Sequence, residues 1–135
     1  MRRLLIAISL MFSAHGFAMT SDEILKHYEI EAKKESPAFL TFSAERGERF
    51  YHAERAHSNG KKVSCATCHT ADPRQQGKTR ANKIIEPMAA RINAERFTDP
   101  AKVEKWFGRN CKDVLERACT AQEKGDYIQY LVNLK

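Results

Sequence analysis

Residues 64–71 read SCATCHTA, and within them Cys65, Cys68 and His69 form C-x-x-C-H. Thiols at i and i+3 stand on one turn of helix, close enough to reach the two vinyl groups of one porphyrin. The histidine that follows them projects under the iron, so the spacing is the attachment signature of a single covalent haem c with His69 as proximal ligand. Two rival uses of the pair stand beside it. A structural zinc site would add two further ligands, for which Cys111 and Cys119 are available. A thioredoxin-like redox pair would need a βαβ setting, and no such pattern surrounds residue 65.

Working outward, the chain has 135 residues with 23 Lys and Arg against 17 Asp and Glu. Residues 1–18 carry Arg2 and Arg3, an apolar run from Leu4 to Phe12, and small residues at Gly16 and Ala18. This is the pattern of a secretory signal peptide, removed after Ala18. The apolar run falls short of the roughly 20 residues that span a bilayer, which counts against a retained anchor. The expected mature chain, residues 19–135, is one domain of 117 residues with net charge +4 and no membrane span. Export to the periplasm makes nucleic acid a poor partner. The basic residues are interleaved with acidic ones, as on a solvated surface. It also commits cysteines to oxidised pairs or to a cofactor.

Nothing alternates apolar and polar residues for more than a few positions, whereas helix signals recur. Thr20 and Glu23 make a capping box ahead of Ile24, Leu25 and Tyr28, and Thr120 with Glu123 repeats it ahead of Tyr127, Tyr130, Leu131 and Leu134. Ser43 caps a second helix running to about Arg55 with Gly47, Phe50 and Tyr51. Asp99-Pro100 starts another that Gly108 would stop. Residues 57–64 and 72–87 read as loops. The expectation is all-α, a small class I cytochrome c-like fold of four to five short helices wrapped around one covalent haem.

The sixth coordination position separates an electron carrier from a protein that binds a gas. Of five histidines, at 15, 27, 52, 57 and 69, none follows the motif, so a distal histidine would have to come from upstream, from His27, His52 or His57, which read as surface residues. Beyond the motif the only methionine is Met88, 19 residues on. That separation is short for a chain that must leave the proximal side and pass round the porphyrin edge. There remains RFTDPAKVEKWFGRNCKDVLERAC, residues 96–119, in which Arg109, Asn110 and Cys111 are expected in a turn that Cys111 and Cys119 could close as a disulfide.

This segment, with C-x-x-C-H and QGKTRANKIIEPMA, closely resembles the sphaeroides haem protein (SHP) family of small exported c-type cytochromes. The resemblance implies that Asn110 is an axial ligand of oxidised iron, lost on reduction so that dioxygen, nitric oxide or a similar small molecule can bind. It also implies that Cys111 and Cys119 form a disulfide and that a multihaem c-type cytochrome donates electrons. Trp106 and Phe107 would wall the distal pocket. Met88 departs from the pattern, where an aliphatic residue is expected. A permanent His69/Met88 carrier is therefore the alternative, and turnover of dioxygen or nitric oxide is a further possibility with no acid or base beside Asn110 to carry it.

Overall fold

Thr20 accepts from the Glu23 amide, and the Glu23 carboxylate accepts from the Thr20 amide at 2.7 Å, so the first helix opens on the expected reciprocal cap. The computed structural model describes residues 18–135; the segment read as a signal peptide lies outside it except for Ala18. Among the described residues five α-helices carry the fold: α1 Ser21–Glu35, α2 Ala44–His52, α3 Ala66–His69, α4 Pro100–Leu115 and α5 Ala121–Asn133. Two antiparallel hairpins of two-residue strands interrupt the connections. β1 Arg55–Ala56 pairs with β2 Lys62–Val63, and β3 Gly77–Lys78 pairs with β4 Ile84–Ile85. β2 and the β3–β4 hairpin lie where loops are expected, whereas β1 begins at Arg55, where the second helix is expected to end, because α2 stops at His52. The strands are too short for a period-two pattern to register. No helix among the described residues is long and apolar enough to cross a membrane.

The core is built where α1 and α2 cross α5. Ile24, Leu25 and Tyr28 of α1, Tyr51 of α2 and Tyr127, Ile128 and Leu131 of α5 are all buried. At the α2–α5 crossing, a Cβ on Gly47 would sit 1.9 Å from the Asp126 carbonyl oxygen and 2.8 Å from Tyr130 Cβ, so the helix backbones touch there. The same crossing holds an ion pair. Asp126, only 4% exposed, accepts from Arg46 Nε at 2.8 Å, Arg46 Nη2 at 2.9 Å and the Ser43 amide at 2.7 Å. Arg46→Ala would leave that carboxylate buried with one donor, a loss tempered by the arginine's own partial exposure. The expected destabilisation is about 2 kcal/mol. A thermal midpoint within a degree of the parent's would contradict it.

α4 does not stop at Gly108. It begins as expected, with Asp99 accepting from the Lys102 amide and Pro100 at the first position, but continues seven residues further. Asn110 and Cys111 are thus helical and not in a turn. The reason is tertiary: Val103, Phe107 and Cys111 form one buried stripe. A glycine inside a helix costs only about 1 kcal/mol, less than burying that stripe yields. Glu116, in the left-handed region at φ 54°, ends the helix instead.

Candidate haem site

Residues 65–69 form one helical turn. The His69 amide donates to the Cys65 carbonyl at 3.1 Å, and the Ser64 amide donates to Thr67 Oγ1 at 2.9 Å, closing the entry to the turn. Cys65 and Cys68 are both free thiols and partly buried. Burial pushes the Cys65 thiol up to about 11. That is opposite to the thiolate a nucleophilic redox pair needs. The zinc alternative fails on its other two ligands, because Cys111 and Cys119 are joined in a disulfide with Cα atoms 5.6 Å apart. No cluster of three or more metal-ligating side chains exists among the described residues.

His69 fits an iron ligand on its own chemistry. Its Nδ1 is buried and has no hydrogen-bond partner among the described residues. Burial, and secondarily the nearby Arg96 guanidinium, hold its pKa down to about 4. The ring is therefore neutral, the form in which imidazole binds a metal. Arg96 is itself pinned, donating from Nε to the Pro87 carbonyl at 3.0 Å and from Nη2 to the Glu86 carbonyl at 2.6 Å.

Two contacts fix the peptide that carries His69, and both join residues far apart in sequence. The Tyr51 hydroxyl lies 2.9 Å from the His69 carbonyl and 2.7 Å from the Thr70 carbonyl and donates to this pair. Thr70 holds φ 66°, a conformation costly for a β-branched residue, and the tyrosine secures it. On the other flank a Cβ on Gly77 would fall 2.1 Å from the Cys68 carbonyl oxygen, so β3 lies directly against the motif. Sequence reasoning places Tyr51 only on a helix face and Gly77 only in a loop. The one available signal is that Tyr51 follows Gly47 by one helical turn.

The remaining candidates separate. Met88 is 7% exposed, and its amide donates to the Pro73 carbonyl at 2.8 Å, tying it to the segment that leaves His69. His57 Nε2 lies 3.1 Å from the Val114 carbonyl, while His27 and His52 are exposed. Asn110, partly buried on α4, makes no side-chain hydrogen bond with a described residue, and the disulfide begins at the next position. Phe107 is buried, with ring centroids 6.1 Å from Tyr28 and 5.5 Å from Tyr127, as in ordinary core packing. Trp106 is 42% exposed and lies between Lys105 and Arg109, one helical turn before Asn110.

A family model described as a domain of unknown function, DUF1924, matches residues 37–131. The chain is 41% identical over 103 residues to the cytochrome c-type protein SHP of Cereibacter sphaeroides, covering 76% of this chain and 80% of that one. It belongs to the SHP family of c-type cytochromes. Cytochrome c'' of Methylophilus methylotrophus is 33% identical over 134 residues, covering 97% of this chain and 93% of that protein. The crystal structure of oxidised cytochrome c'' superposes with a TM-score of 0.78 at 34% identity, over 85% of this chain and 94% of the other. The structure of oxidised SHP, described as an oxygen-binding cytochrome c, gives 0.74 at 37% identity over 84% and 96%. The all-α cytochrome fold and the haem c cofactor follow from this membership.

Proposed function

We propose that this SHP-family member is an exported, periplasmic monohaem cytochrome that accepts an electron and then binds a small ligand such as dioxygen or nitric oxide. Cys65 and Cys68 tether the porphyrin and His69 is the proximal ligand. Asn110 would supply the second protein ligand to the oxidised iron. The haem supplies a one-electron couple and an axial site for a diatomic molecule. The chain supplies control of that site. The Asn110 amide oxygen is a neutral, hard, weak donor, able to hold ferric iron and poorly retained by the softer ferrous ion. On reduction the side chain would be released, and the disulfide at the adjacent residue would hold α4 in place.

The observation that carries this reading is the side-chain amide of Asn110 on α4, without a hydrogen bond to a described residue and beside a disulfide, while His27 and His52 are exposed and His57 is engaged. Two relatives support it. One is an oxygen-binding cytochrome c, and the solution structure of cytochrome c'' concerns haem-ligand detachment. The electron donor is a multihaem c-type cytochrome.

The competing reading is permanent His69/Met88 ligation, and Met88→Leu separates the two. With the Met88 main chain tied to Pro73, a nearly isosteric leucine should leave both oxidised and reduced absorption spectra unchanged. Its expected cost is at most about 1.5 kcal/mol of stability. Conversion of the ferric protein to a high-spin spectrum would make Met88 the ligand.

A further inference from the structure

The positive charge of this chain is concentrated in one place. Residues 19–135 contain 21 Lys and Arg against 17 Asp and Glu. Residues 73–92 alone hold five bases, Arg74, Lys78, Arg80, Lys83 and Arg91, and one acid, Glu86. The rest is balanced at 16 of each, so the whole net charge of +4 resides in this segment. All five bases are exposed. Arg74 is paired with Asp72, whereas Lys78, Arg80, Lys83 and Arg91 have no carboxylate partner among the described residues. Elsewhere bases and acids are equal in number, and part of them pair: in α1, Lys26 and Lys33 share Glu29, and Lys34 meets Glu31.

The segment is also mechanically joined to the haem-bearing peptide. The β3–β4 hairpin starts at Gly77, where the missing Cβ lets its backbone rest on the Cys68 carbonyl and on His69 Cα. Its tip is closed by the Thr79 amide donating to the Lys83 carbonyl and by Thr79 Oγ1 accepting from the Lys83 amide at 3.1 Å. Lys78, Arg80 and Lys83 thus project from a short, braced hairpin that lies against the proximal peptide.

We propose that the β3–β4 hairpin is the docking surface for the electron donor, an acidic electron-transfer protein, and that the electron enters from the His69 side. This rests on the electron-accepting role proposed above. One electron crosses; the donor is oxidised by one equivalent and no atom is transferred. Unpaired charges of one sign on a small surface raise association rates by focusing an oppositely charged partner, without requiring a large or tight interface. Entry from this side would leave Asn110 and α4 free while a donor is docked.

The test uses the haem-loaded protein and two reductants: flavodoxin hydroquinone, an acidic flavoprotein, and reduced lumiflavin, which is small and uncharged. Stopped-flow reduction is compared for the parent, K78E/R80E/K83E and the charge-matched control K102E/K105E/K112E, whose three lysines are exposed and lie on α4. The hairpin variant should be reduced by flavodoxin about 10-fold or more slowly at low ionic strength. That gap should close near 1 M salt, where the screening length is about 3 Å. The control should lose less than about threefold, and lumiflavin should reduce all three proteins equally. Equal losses in both triple variants would mean that net charge alone matters and would overturn the hairpin assignment. Failure of lumiflavin to reduce even the parent would remove the electron-accepting role, and the docking site with it.

Discussion

Gly47→Ala is expected to destabilise the protein by about 3 kcal/mol, lowering the thermal midpoint by on the order of 10 °C. The new methyl would have to occupy a point 1.9 Å from the Asp126 carbonyl oxygen. That atom is helix backbone, so relief requires α2 and α5 to move apart. Separation would also draw Tyr51, one turn along α2, away from the His69 and Thr70 carbonyls it holds. The variant should therefore show perturbed haem absorption as well as a lower midpoint. Gly108→Ala is the control. That glycine lies inside α4 with nothing within 4 Å of the would-be methyl, so alanine should stabilise by about 0.5–1 kcal/mol. Similar effects of the two substitutions would refute the close-crossing account.

The second large effect is spectroscopic. Asn110→Ala should convert the ferric protein to a high-spin or water-ligated form while leaving the haem attached. The stability cost should be no more than about 1 kcal/mol, since the amide makes no side-chain hydrogen bond with a described residue and is only partly buried. An unchanged ferric spectrum would remove Asn110 from the iron. The same change in Met88→Leu, but not in Asn110→Ala, would establish the alternative ligand.

What could be read from the chain was what is encoded locally. The Thr20/Glu23 and Thr120/Glu123 boxes name their own helix starts, and Asp99-Pro100 does the same for α4, because a cap is satisfied within four residues. C-x-x-C-H is likewise self-contained. The end of α4 was not legible. Gly108 signals a stop locally, but burial of Cys111 and its bond to Cys119 outweigh that signal. The support of the motif was hidden for the same reason. Tyr51 reaches carbonyls 18 and 19 residues away, and Gly77 is required by the backbone of Cys68; neither leaves a periodic trace. Charge was misleading in a different way. Bases and acids alternate over most of the chain, which hides the excess in residues 73–92, and only the structure shows that Lys78, Arg80, Lys83 and Arg91 have no carboxylate partner among the described residues.

The central claim is that the axial position opposite His69 opens when the iron is reduced. Its most direct test is the absorption spectrum of the dithionite-reduced protein before and after carbon monoxide. A five-coordinate, high-spin ferrous spectrum that converts stoichiometrically on adding carbon monoxide is the expected result. Sharp low-spin bands that carbon monoxide leaves untouched would contradict it and make the protein a permanently six-coordinate carrier.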